Sequence, residues 1–207
     1  VDLLTKVVIS AVLLAIVVVA AYFAIVRFNS APQITEQQAV ALVKSDISNA
    51  YPTAYANITN VSPSIFPGSW HIIVSIVFNS TKPCPSYYVW SFDYPKYGFV
   101  NRVDNIYTSN CTVYGMLQNK SYILASAPVA IASSYNMGLP SITGFVHKYG
   151  YANTVVHATF YNSTSLMGRN YTKAWLVNYS ATNANYSEYV LISQIGGKLL
   201  LNYTLSH

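Results

Sequence analysis

The chain has 207 residues, a formal net charge of +5 and only 8% charged residues, against roughly a quarter in an average soluble protein. That excludes a charged disordered tail. The 53% of hydrophobic residues are unevenly distributed, leaving one membrane-length apolar stretch ahead of a globular region rather than a bundle of spans. Basic residues are scattered (Lys44, Lys82, Arg102, Lys120, Arg169, Lys198) with no basic stripe, so no nucleic-acid partner is expected.

Between Lys6 and Arg27, the residues from Val7 to Val26 carry no charge, no Gly and no Pro. As a helix they reach about 30 Å, the thickness of a hydrocarbon core. The apolar residues occupy every face, so the segment requires lipid or protein all round. Val7, Val8, Val12, Leu13, Leu14, Ile16, Val17, Val18, Val19, Phe23 and Ile25 are the candidate core-forming residues, and Ser10, Ala11, Ala15, Ala20, Ala21 and Ala24 are small enough for close helix approach. The run exceeds the apolar core of a cleaved secretory signal and has no positive cluster before it, so it is read as retained. It can serve as a simple anchor, or as a surface satisfied first by lipid and then by identical copies.

Val1-Asp2-Leu3-Leu4-Thr5-Lys6 followed by this run resembles the N-terminus of mature type IV pilins, archaeal ones in particular, from which a class III signal peptide has been removed. Thr5 stands where bacterial pilins carry glutamate, and no helix-kinking proline occurs near Tyr22; archaeal pilins commonly lack both features. The resemblance implies a structural subunit of an extracellular pilus-like filament for adhesion or cell-cell contact. Its partners would be copies of itself, the membrane before assembly, and other cells or surfaces.

After a joint at residues 29–33 containing Pro32, Thr35 and Gln38 form a capping-box pattern, with Val40, Val43 and Ile47 at helical spacing. An amphipathic helix is predicted over Glu36 to Ala50. Trp70 to Phe78 is a β-branched run; Tyr88, Trp90, Phe92 and Tyr94 alternate onto one face, and Gly98 to Tyr107 returns after a turn. Ala127 to Tyr135 reads as a short helix, Thr154 to Tyr161 and Lys173 to Ser180 as strands, and Tyr189 to Ile195 pairs with Lys198 to Tyr203 across Gly196-Gly197. Ile34-Thr35-Glu36-Gln37-Gln38-Ala39, then Tyr51-Pro52, Trp70 and Tyr87-Tyr88-Val89, resemble a PepSY-like module. That likeness implies an alternative role, a monomeric membrane-anchored extracellular binding or inhibitory module.

The expected fold class is α+β, a long N-terminal hydrophobic helix (residues 1–28) leading into a β-rich head with one or two short helices. The head divides into a first α+β unit (34–115) and a second β-rich unit (116–207).

Asn-x-Ser/Thr sequons occur at Asn57, Asn60, Asn79, Asn110, Asn119, Asn162, Asn170, Asn178, Asn185 and Asn202, where chance would place about three. All follow the apolar run, which orients the head to the cell exterior and makes covalent N-glycans the expected modification. Cys84 and Cys111, the only cysteines, suit a disulfide in that compartment. The four histidines (His71, His147, His157, His207) form no metal-ligand pattern, and no nucleophile elbow, zincin motif or phosphate loop is present. Asp93, Asp104 and Glu188 read as lone acids. No catalytic residue, cofactor or metal is therefore expected, and the chain is read as a non-enzyme. With six acids there is little carboxylate protonation to drive acid unfolding, so tolerance of low pH is expected.

Overall fold

The structure is a computed structural model that describes residues 12, 14–23, 34–102, 106–115 and 123–207. Residues 12 and 14–23 are helical. The head opens with α1 (Glu36–Ala50), where Gln38 N–H donates to Thr35 Oγ1 (3.2 Å) and Thr35 N–H donates back to Gln38 Oε1 (2.8 Å). This reciprocal cap satisfies two helix-end donors that would otherwise lack partners. Ala39, Val43 and Ile47 recur every four residues and bury one face of α1 against Ile72, Val74, Ile76, Phe92 and Tyr94.

Those partners come from a six-stranded antiparallel sheet. β1 (Tyr55–Pro63), β2 (Trp70–Phe78) and β3 (Ser86–Tyr94) form a meander, and their period of two aims alternate residues at α1. β4 (Gly98–Arg102) and β5 (Ile106–Ser109) pair with opposite ends of β3, and β6 (Thr112–Gly115) continues the sheet beyond β5. A single strand predicted from Gly98 to Tyr107 is thus two strands, the first irregular where the register shifts between Ser91 and Phe92.

In the second half α2 (Ala127–Asn136) and α3 (Pro140–Tyr149) cover a four-stranded antiparallel sheet, β7 (Thr154–Leu166), β8 (Arg169–Ala181), β9 (Tyr186–Ser193) and β10 (Leu199–Ser206), ordered β10-β9-β8-β7. Val129, Ile131, Ile142 and Phe145 pack against Val156, Trp175, Val177, Tyr179, Val190 and Ile192. Tyr87 and Val113 of the first sheet reach the same cluster, so α2 lies between the two sheets. Val156 N–H donates to Thr81 O (2.8 Å) and Lys82 Nζ to Ala152 O, which joins the halves further.

The expected α+β fold on a long hydrophobic helix is corrected by this architecture. The chain is mostly β, 47% strand in two antiparallel sheets, with short helices. The head holds three helices of 10 to 15 residues instead of one or two. No helix among the described residues is long and apolar enough to cross a membrane. Val7, Val8, Leu13, Ile25 and the joint at 29–33 lie outside the described residues. The strand content has a local reason, since β-branched and aromatic runs such as those of β2 and β3 fill the sheets. In the head, α3 eluded pattern reading because Gly144 interrupts it and no side chain caps its start, Pro140 sitting at the first turn where proline is tolerated; burial of Ile142, Phe145 and Val146 holds it in place. β1 eluded it because Asn57, Asn60 and Pro63 are poor strand formers, Pro63 closing the strand at the edge position where a missing donor is tolerated.

Candidate assembly and glycan-bearing surfaces

The helical residues at the N-terminus expose their apolar side chains in every direction: Leu14, Val17, Val18 and Phe23 are each 60% or more accessible. Val12, Ile16 and Val19 are also exposed. Val12, Ala15, Ile16, Val19 and Ala20, spaced i, i+3, i+4, i+7, i+8, line one shallow groove of about 430 Å³ along a single face. Water is a poor environment for such a surface, at about 25 cal/mol for each Å² of apolar area.

Most sequons are on display. Asn57 and Asn60 lie exposed on the edge strand β1, and Asn79 and Asn110 lie in turns at positive φ (54° and 48°), a conformation asparagine tolerates. Asn162 and Asn170 sit in the β7–β8 hairpin, whose two strands run past the pairing with β9. Asn185 is exposed at the β8–β9 turn. Asn202 is exposed too, but its Nδ2, the atom that carries a glycan, donates to Ser141 Oγ at 2.8 Å. Asn178 stands apart, half-buried in the middle of β8 with Oδ1 lacking a hydrogen bond among the described residues. Asn119 lies outside the described residues.

Cys84 and Cys111 are bonded, with Cα atoms 4.5 Å apart. The bond ties the segment before β3 to the Asn110-Cys111 turn, where Cys111 takes a positive φ of 64° that it would rarely adopt unaided. Tyr151 also reaches the Cys84 backbone from beyond α3, and burial raises its phenolic pKa.

Of the titratable groups read as isolated, two meet. His71 and Asp93 are direct cross-strand partners on β2 and β3, and His71 Nδ1 lies 3.1 Å from Asp93 Oδ1, a carboxylate almost wholly buried. Counting pairs back from the β2–β3 connection would have found this contact; residue spacing alone does not. Glu188, buried on β9, accepts from Thr204 Oγ1 at 2.9 Å, while Oε2 has no hydrogen-bond partner among the described residues. His207 Nε2 pairs with Ser187 Oγ at 2.8 Å, and Asp104 lies outside the described residues. Among the described residues no three His, Cys, Asp or Glu side chains converge as metal ligands would. Burial drives the Tyr179 pKa far up, opposed by its hydrogen bond to Ser134 Oγ (2.6 Å). Hydrogen bonding to Tyr149 raises the Lys148 pKa.

Beside α1 the first sheet carries a continuous row of rings. Phe99 meets Trp90 edge-on (5.4 Å); Trp90 stacks on Tyr88 (5.8 Å), Tyr88 on Tyr107 (5.9 Å), and Tyr107 on Tyr114 (4.9 Å). At the near end of the row, the last turn of α1 and strands β3 and β4 enclose a groove of about 470 Å³ lined by Asp46, Tyr51, Trp90, Phe92, Tyr94 and Phe99, with Ile47, Ala50 and Gly98. The alternation of β3 signals its aromatic face in the sequence, but nothing there assigns Asp46, Tyr51 or Phe99 to it. No protein-family model, curated protein or solved structure matches this chain.

Proposed function

We propose that the chain is a structural subunit of an extracellular pilus-like filament. In it apolar N-terminal segments bundle in the core and N-glycosylated heads form the outside. One observation carries the reading: the helical residues 14–23 expose Val, Leu, Ile and Phe on all sides, while every sequon belongs to the head that follows. A surface apolar all round is satisfied equally by lipid before assembly and by copies of itself afterwards. The head supports the outward-facing role, with its disulfide suited to an oxidising compartment and its exposed asparagines suited to glycans.

Val17→Lys tests the reading, since a charge at the middle of an apolar core costs about 3 kcal/mol or more. Wild-type protein is expected as fibres in material sheared from cells and viewed by negative-stain microscopy, and the variant is expected to be absent from that fraction. If intact wild-type protein stays monomeric in the envelope and is never sheared off as fibres, the filament reading is overturned in favour of a membrane-tethered binding module.

A further inference from the structure

The groove between α1 and the β3–β4 edge combines three sources of negative potential. Asp46, an exposed residue of α1, contributes a carboxylate at the groove rim. The last turn of α1 contains no basic residue, so the negative end of the helix dipole is not offset there. Lys44 lies two residues before Asp46, about 200° round the helix, and so projects from the other side. The third source is the ring faces, whose quadrupoles attract cations. Trp90 stands at 62° to Tyr51 and 74° to Phe99, and Phe92 at 74° to Phe99, so the rings form angled walls rather than a flat shelf. Phe99 is 55% exposed, which leaves much of it open to a ligand. None of the residues lining the groove is basic.

Angled aromatic walls with an adjacent carboxylate suit a cation whose charge is spread over an apolar surface. Such a cation keeps little hydration to lose, and its methyl groups pack on the rings. We infer that this groove binds a free organic cation bearing an N-methylated ammonium group, the chemistry of choline. The volume of about 470 Å³ falls in the usual range for small-molecule sites and leaves room for a substituent beyond the methyl groups. An anion is excluded by Asp46 and the helix end. A flat sugar ring would need one broad open face, whereas Trp90 turns one face to Tyr88, Tyr88 and Tyr107 stack in turn, and the groove walls stand at steep angles to one another. None of its residues belongs to the N-terminal segment, so its binding can be measured separately from filament assembly.

Calorimetric titration of the full chain in a maltoside detergent tests the inference, with choline compared to its uncharged isostere 3,3-dimethyl-1-butanol. Choline is expected to bind at about millimolar affinity, the sum of a few cation–ring contacts, and the isostere at least about tenfold more weakly. Asp46→Asn, an exposed and isosteric change, should weaken choline about fivefold while leaving the isostere unchanged. Phe99→Ala should weaken choline by a similar factor, with a small fall in melting temperature from its lost contacts to Trp90 and Phe92. Equal binding of choline and the isostere overturns the proposal, because the groove would then be a plain apolar slot. Binding of N-acetyl-lysine amide more tightly than choline overturns it in favour of a protein lysine, tighter binding of a neutral disaccharide overturns it in favour of a glycan, and no heat from any of the probes overturns it outright.

Discussion

Both halves of the head tie the residue ahead of their first helix to a strand tryptophan, yet the two ties lie in different surroundings. Trp70 Nε1 donates to Ile34 O and Trp175 Nε1 to Leu124 O, each at 2.8 Å. Trp70 is half-buried at the margin of α1, whereas Trp175 is 8% exposed beneath α2. Apart from Phe92 and Tyr94, which α1 buries, a similar contrast holds for the large rings of the two sheets. Phe145 and Tyr179 are fully buried in the second half, while Trp90, Tyr107 and Tyr88 are only half-buried and Phe99 and Tyr114 are exposed in the first. The difference lies in coverage: two helices lie over four strands in the second half, whereas on the ring-bearing face of the first sheet α1 reaches only β1 to β3, α2 meeting that sheet from the opposite face through Tyr87 and Val113. Aromatic residues close a core where a second layer reaches them and build a surface where it does not.

That comparison can be broken most directly at the disulfide, which only the first half possesses. Replacing Cys84 and Cys111 together by Ser removes a loop closure worth about 3–4 kcal/mol in chain entropy. The first half is then expected to melt ahead of the second, as two separate calorimetric transitions. A single lowered transition would instead show that α2, shared between the sheets, welds both halves into one cooperative unit.

The tryptophans sharpen the contrast on a smaller scale. Trp175→Phe leaves the buried Leu124 carbonyl without its donor and should cost about 2–3 kcal/mol, whereas Trp70→Phe, where water reaches the site, should cost about 1 kcal/mol. Urea unfolding of the two variants measures the ratio, and equal losses would contradict the difference in burial.

The smallest effect concerns pH. Burial holds the Tyr179 pKa above the ordinary tyrosine value of 10.0, so above pH 10 the unfolded chain releases a phenolic proton that the native state keeps. Stability from this group is fully present below that pH and falls as pH rises, by at most about 1.4 kcal/mol per pH unit. Tyr179→Phe should flatten the decline between pH 9 and pH 11 in urea titrations. An unchanged slope would assign it to the tyrosines at 151 and 203, whose pKa values burial also raises.

The boundaries of α1 were legible because its cap and its four-residue repeat are both local. β2 was legible because its β-branched run coincides with a central strand. α3 and β1 were not, since each is maintained by neighbours against its own propensity. The sequence also suggested fewer helices in the head than the fold contains. Of the candidate site, the aromatic face of β3 was legible by alternation, but its meeting with Asp46 and Phe99 was not.

By itself the sequence determined the apolar character of the N-terminal segment, the cap that opens α1 and the crowd of sequons in the head. Each of these rests on residues a few positions apart, where chain geometry alone dictates the outcome. Only the tertiary structure decided that α2 would be shared between two sheets, that His71 would meet Asp93, and that one end of an aromatic face would remain open beside the last turn of α1. Those outcomes depend on which layers reach which strands, and burial of that kind is set by packing between segments distant in the chain.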